Sequence, residues 1–242
     1  MLAPMPGPMV AALRSRTLIA PGIADLVFEM RDPPRIEFKA GQFVSIAVHD
    51  SSGAPLPRRS YSIASLSSEA ERLRFIIRVI EGGAAFDLLM GLALGDELAL
   101  TGPHGFFVLD AAHAGDVVFG ATGTGMAALL PMLGELAARS EPGRRFVHWG
   151  ARHEADLFAR AEVEALAAGA GATLQIHLTA PGPTWPGARG RITAAILDAL
   201  PNLRSPTFYL VGNGAMITEL KKELVARGVN RKSQIRTEAF FD

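Results

Sequence analysis

The sequence changes texture once, after Gly102-Pro103, and its two halves call for different folds. Before that point, short runs rich in Val, Ile, Phe and Thr occupy residues 10–17, 23–30, 42–48, 58–63, 72–79 and 97–101. Turn clusters such as Ala20-Pro21-Gly22, Asp32-Pro33-Pro34 and Ser51-Ser52-Gly53 separate them. Short strands at that spacing predict a closed antiparallel β-barrel, interrupted by one helix over 84–90 just after Gly82-Gly83. Beyond the change, apolar runs at 117–121, 145–150, 173–178 and 207–211 alternate with helical spacing at 126–138, 156–168, 193–199 and 216–227. That alternation predicts an α/β doubly wound parallel sheet with helices on both faces. Two domains are therefore expected, over 1–110 and 111–242, with no internal repeat and no long linker.

One stretch competes with this reading. Residues 117–134 run for eighteen positions without a charge, the lower length limit for a membrane-spanning helix, in a chain whose mean hydropathy is +0.22. Gly120, Gly123, Gly125 and Pro131, with Thr122 and Thr124, break it instead into strand, glycine turn and helix start. The N-terminus is apolar and Pro-rich but lacks a basic n-region and a small-residue cleavage site, so a cytoplasmic protein without a secretory signal or membrane anchor is expected. Balanced charge, 24 Lys+Arg against 24 Asp+Glu, argues against nucleic acid or an anionic membrane as the main partner. The absence of cysteine excludes disulfides, a catalytic thiol, Cys-ligated zinc and a Cys-held iron–sulfur cluster among these residues.

Two segments carry candidate chemistry. Gly123, Gly125 and Ala128 follow the G-x-G-x-x-G/A spacing between a buried strand and a helix, a turn whose backbone N–H groups can approach a pyrophosphate. The next strand ends in Trp149-Gly150-Ala151-Arg152 and offers no acidic ribose ligand, so the site is of another type than the standard Rossmann one. In the barrel half, Arg58-Arg59-Ser60-Tyr61-Ser62 places Arg59 and Tyr61 on one strand face, a phosphate-forking cation beside an aromatic plane. Each segment alone admits a plainer role, a glycine that closes a turn or an exposed strand with a solvated arginine pair.

Their combination is more specific. Arg-x-Tyr-Ser, Gly82-Gly83 before a short helix, Gly102-Pro-His-Gly-Phe, Gly-Thr-Gly after a strand, Val211-Gly-Asn-Gly-Ala-Met and a terminal Glu238-Ala-Phe occur in this order. From about residue 10 to 240 the chain resembles the ferredoxin–NADP reductase superfamily, a flavin-binding antiparallel barrel followed by a nicotinamide-binding α/β domain. The resemblance implies FAD and NAD(P)H as cofactors, a monomer, and an enzyme that takes hydride from NAD(P)H and passes electrons to a ferredoxin, a flavodoxin or an oxygenase component. It implies that Arg59 holds the FAD pyrophosphate, that Ser60 is among the cofactor-binding residues, that Tyr61 stacks on the isoalloxazine and that Ser62 hydrogen-bonds near N5. Gly82, Gly83, Ala84, Ala85 and Phe86 would supply backbone N–H groups to the same pyrophosphate. Thr122, Gly123, Thr124 and Gly125 would receive the nicotinamide cofactor, with Gly212, Asn213 and Met216 bordering its pocket. Phe240 would cover the other flavin face, Phe241 competing for that role, and Glu238 would relay protons or form a strand-end salt bridge.

Departures from the family pattern bear on these roles. Phe86 stands where relatives carry Ser or Thr, removing a hydroxyl contact to the pyrophosphate. Ala128 replaces a common proline, and Val211 a cysteine near N5. The segment from His177 to Pro183 carries no positive charge, which favours NADH, while Arg152, Arg189 and Arg191 keep NADPH open. Two alternatives stay open: an NAD(P)H:flavin reductase that releases reduced flavin, and a flavin-binding electron-transfer or redox-sensing subunit that is not an independent enzyme. A metal site is not expected, since His49, His104, His113, His148, His153 and His177 are scattered without helical ligand spacing. No Gly-x-Ser-x-Gly elbow or P-loop lysine motif occurs.

Overall fold

In the computed structural model, which describes residues 7–50 and 52–240, the chain divides into two compact units, Met1–Phe106 and Phe107–Asp242. The first contains β1 (Met9–Ala20), β2 (Ile23–Asp32), β3 (Phe43–His49), β4 (Pro55–Ser62), β5 (Arg72–Arg78), helix α1 (Ala84–Gly91) and β6 (Glu97–His104). The strands form an antiparallel sheet in the order β4-β3-β6-β1-β2-β5. Strict alternation in β2 and β3 sends Leu26, Phe28, Val44 and Ile46 inward, where they meet Leu13, Phe75 and Leu100 in one core. The segment just past β4 closes the sheet: Ala64 N donates to Arg74 O on β5 at 2.8 Å, and Ser65 Oγ donates to Arg72 O at 3.1 Å. This is the barrel expected from the strand spacing.

The second unit contains β7 (Val117–Thr122), α2 (Met126–Ala137), β8 (Arg145–Ala151), α3 (Arg160–Gly169), β9 (Ala172–Leu178), β10 (Ala188–Arg189), α4 (Ile192–Ala199), β11 (Thr207–Asn213), α5 (Gly214–Ala226), α6 (Arg231–Gln234) and β12 (Ile235–Phe240). Its sheet is parallel throughout, in the order β10-β9-β8-β7-β11-β12. The strand order reverses direction at β7, the topological switch point beside which ligands bind in such sheets. The uncharged stretch resolves into β7, a short 3₁₀ turn over Gly123–Gly125 and α2, although α2 continues through Pro131. Among the described residues no helix is long and apolar enough to cross a membrane.

Besides the short β10 and α6, where no element is expected, three features differ from expectation. Helix α3 starts at Arg160 rather than 156, because residues 154–156 form a separate 3₁₀ turn in which Asp156 Oδ2 accepts from His153 N at 2.8 Å. Helix α5 starts at Gly214, two residues before Met216, since Asn213 caps it and its Oδ1 accepts from Met216 N at 3.0 Å. Strand β12 was not anticipated: Ile235-Arg-Thr-Glu-Ala-Phe mixes polarity as an edge strand does, and only its pairing with β11 reveals it.

Candidate functional site

Within the first unit, β4 sets out the Arg-x-Tyr-Ser segment by its register on β3. Arg59 pairs with Ile46, Ser60 with Ser45, Tyr61 with Val44 and Ser62 with Phe43, so Arg59 and Tyr61 share one face. Tyr61 is half-buried, its ring 6.3 Å from that of Phe75, and burial raises its phenol pKa against the opposing pull of Arg59. Arg59 is exposed, with Nη1 donating to Pro57 O at 3.0 Å. Ser60 Oγ lies 3.2 Å from Ser45 Oγ.

Helix α1 borders the same core through Leu89, with Leu88 and Met90 packed against it. Gly82 enters the helix at φ +78°, a left-handed conformation that glycine adopts without strain. Gly83 is the N-cap and supplies no side-chain acceptor, so the first-turn N–H groups of Ala84, Ala85 and Phe86 have no side-chain cap, the arrangement that receives a phosphate. The other end of α1 is closed by Arg16 of β1, whose Nη1 donates to Leu92 O at 2.7 Å and to Leu89 O at 3.3 Å. One end is thereby fixed while the other stays available. No local signal in the sequence links Arg16 to residues more than seventy positions away.

In the second unit the carboxyl ends of β7, β8, β11 and β12 converge. A Cβ on Gly125 would lie 2.8 Å from Val211 O, and one on Gly212 would lie 2.4 Å from Thr122 Oγ1, so the glycine turn and the end of β11 touch backbone to backbone. Asn213 N donates to Thr122 Oγ1 at 2.8 Å, and Trp149 Nε1 donates to Gly123 O at 3.2 Å. Neither Thr122 nor Gly125 caps the turn with its side chain, and no acidic residue lies in the first turn of α2. The N-terminal dipole there is uncompensated and suits an anion. Thr124 is half-buried in the middle of this turn. Glu238 pairs with Val211 and Phe240 with Asn213 at the end of β12, while Phe241 lies outside the described residues.

The three arginines weighed for a 2′-phosphate differ in what holds them. Arg189 Nη2 donates to the carbonyls of Gly182 and Pro183, each at 3.1 Å, and ties down the loop before β10. Arg191 pairs with Glu219 at 2.6 Å. Arg152, just past β8, is exposed and has no side-chain partner among the described residues. In the first unit, Arg14 and Arg31 both pair with Glu29, and Arg35 pairs with Glu71.

Buried polar clusters beneath the second sheet were not legible in the sequence. Tyr209 Oη accepts from Asp110 N at 2.9 Å and lies 2.9 Å from His113 Nε2, while His113 Nδ1 lies 3.0 Å from Glu141. The arrangement that satisfies all three has the Tyr209 hydroxyl donating to Nε2 and Nδ1–H donating to Glu141. Burial, with Asp110 nearby, pushes the Tyr209 hydroxyl up to about 12. On the face under α4, His148 Nδ1 lies 3.2 Å from His177 Nε2. Burial, and then the neighbouring His177, lowers His148 to about 4. Among the described residues no group of three or more His, Asp or Glu could hold a metal ion.

The histidine pair makes stability pH-dependent. Unfolded His148 binds a proton near 6.5, its folded form only near 4, so the unfolded chain holds more protons between those values and stability falls as pH drops through that window. About 2 kcal/mol should be gone by pH 5, and His148→Gln should flatten that part of a urea-unfolding pH profile.

Comparison with known proteins identifies the family of each unit. Residues 10–109 match the oxidoreductase FAD-binding domain family, and residues 119–222 the oxidoreductase NAD-binding domain family. Over 232 residues the chain is 33% identical to ferredoxin–NADP reductase B of Sorangium cellulosum, covering 91% of this chain and 92% of that one. It is 33% identical over 158 residues to the reductase component of propane 2-monooxygenase from Gordonia sp., covering 65% of this chain and 44% of that protein. The crystal structure of Amycolatopsis cytochrome P450 reductase GcoB superposes with a TM-score of 0.85 at 28% identity, over 97% of this chain and 70% of that one.

Proposed function

We propose that this chain, which belongs to the ferredoxin–NADP reductase superfamily, takes hydride from NAD(P)H and passes electrons to a separate ferredoxin, flavodoxin or oxygenase component. The observation that carries the proposal is the charge-free, uncapped Gly123–Gly125 turn closed against Gly212 at the switch point of the second sheet. When bound, FAD would accept one hydride and could release its two electrons singly, and the protein supplies position and charge. Arg59 is assigned to the FAD pyrophosphate together with the open N-terminus of α1, Tyr61 to one face of the isoalloxazine and Ser62 to the region of N5. Thr122, Gly123, Thr124 and Gly125 are assigned to the nicotinamide nucleotide, with Asn213 and Met216 bordering it and Arg152 within the same carboxyl edge. Glu238 and Phe240 are assigned to proton relay and to the aromatic that yields to the nicotinamide ring. The 242 residues hold no cysteine, so no cysteine-ligated cluster among them can store the electrons. We place the protein in the cytoplasm as a monomer.

A second reading, a reductase that releases its flavin, has one observation in its favour. Phe86 stands in the first turn of α1 and Gly83 caps it, so the pyrophosphate would be held there by backbone donors alone. Gel filtration decides between them: a yellow, monomeric peak with one FAD per chain is expected, and a colourless peak with flavin in the small-molecule fraction would favour release.

A further inference from the structure

The cations at the carboxyl edge of the second sheet are not equally available. Arg189 is committed to loop carbonyls and Arg152 is unpartnered among the described residues. Arg191 lies between these cases. It is the N-cap residue of α4, next to Ile192, whose side chain packs against the end of β8: a Cβ on Gly150 would lie 3.0 Å from Ile192 Cγ2. Its side chain is 54% exposed and faces Glu219 of α5, with Nη2 and Oε2 2.6 Å apart. Helices α4 and α5 share one core through Ile192, Ile196, Ile217 and Leu220, so their packing holds the pair in register.

We propose that Glu219 is a specificity-determining residue that disfavours NADPH relative to NADH. A 2′-phosphate brings between one and two negative charges and is held by forked arginine contacts, whereas a 2′-hydroxyl needs neither. Glu219 neutralises Arg191 and occupies its Nη2 donor. NADH loses nothing by this, and NADPH loses the use of one cation. The inference rests on the reading that the nicotinamide nucleotide occupies the carboxyl edge of this unit. It acts through Arg191, so Glu219 is a positioning residue and not a catalytic one.

The test measures kcat/KM for NADH and for NADPH with ferricyanide as acceptor, on the FAD-loaded protein, for the parent, Glu219→Gln, Arg191→Ala and the double variant. Glu219→Gln should raise the value for NADPH about tenfold and leave that for NADH within about twofold. In the Arg191→Ala background the same substitution should give no NADPH gain. Because the pair is exposed, its loss should leave the unfolding temperature nearly unchanged, so a folding defect does not mimic the result. Equal changes for both nucleotides, no change in their ratio, or a gain that survives in Arg191→Ala would overturn the inference while leaving the functional reading intact. Failure of both nucleotides to reduce the parent protein would overturn the functional reading, and this inference with it.

Discussion

Asp116→Asn should destabilise the second unit by about 3 kcal/mol, read as a lower urea midpoint with an unchanged slope. The Asp116 side chain is fully buried at the start of β7, and both of its oxygens are used. Oδ1 accepts from Arg144 N at 2.9 Å, while Oδ2 accepts from Arg144 Nη2 at 2.7 Å and from Arg204 N at 2.9 Å. One carboxylate thus joins the segments that lead into β7, β8 and β11. Asparagine has one oxygen where aspartate has two, so an amide NH₂ would face donors that have no other acceptor. Burial raises the Asp116 pKa, but the Arg144 side chain and the two backbone N–H groups outweigh it and hold the group at about 2. With the folded value below the unfolded one, this contribution is present above pH 3.8 and disappears as pH falls through about 2. The difference between the parent and Asp116→Asn should therefore be full at neutral pH. An equal midpoint for the two proteins at pH 7 would show that the cluster contributes nothing.

Gly212→Ala should cost the protein at least about 100-fold in kcat/KM for its preferred nicotinamide nucleotide. Gly212 sits at φ +115°, and an added Cβ would lie 2.4 Å from Thr122 Oγ1 and 2.7 Å from Thr122 O. The strand end and the glycine turn would have to separate, which breaks the Asn213 N to Thr122 Oγ1 bond and moves the cap of α5. The contact is backbone on one side and the Thr122 backbone with its β-branched side chain on the other, so little can yield by rotation alone. Steady-state kinetics and FAD content measured together separate the outcomes. Retained FAD with lost nucleotide turnover is expected, because α1 and β4 lie in the other unit and are untouched. Parent-level kinetics would remove the glycine contact from the nucleotide site.

What the sequence disclosed, and what it withheld, follows from the range of the interactions. The strands of the barrel, α1 and the β7–turn–α2 unit were legible because alternation, turn residues and glycine spacing are local. Gly82, Gly83, Gly123 and Gly125 read as turn formers from their neighbours alone. The contact that makes Gly125 and Gly212 obligatory joins segments nearly ninety residues apart, and no local pattern announces it. The same holds for Arg16 on α1, for His148 against His177 and for Tyr209 with His113 and Glu141. Strand β12 is hidden for another reason: an edge strand needs only one apolar face, and Arg236, Thr237 and Glu238 dilute its pattern. Nucleotide preference was open in the sequence because three arginines qualified by position, and pairing with Glu219 and with loop carbonyls is a property of the fold.

Anaerobic titration of the FAD-loaded protein with NADH and, separately, with NADPH tests the central claim most directly. One equivalent of the preferred nucleotide is expected to bleach the oxidised flavin absorbance, and a one-electron acceptor then to restore it. A flavin that neither nucleotide reduces would contradict it.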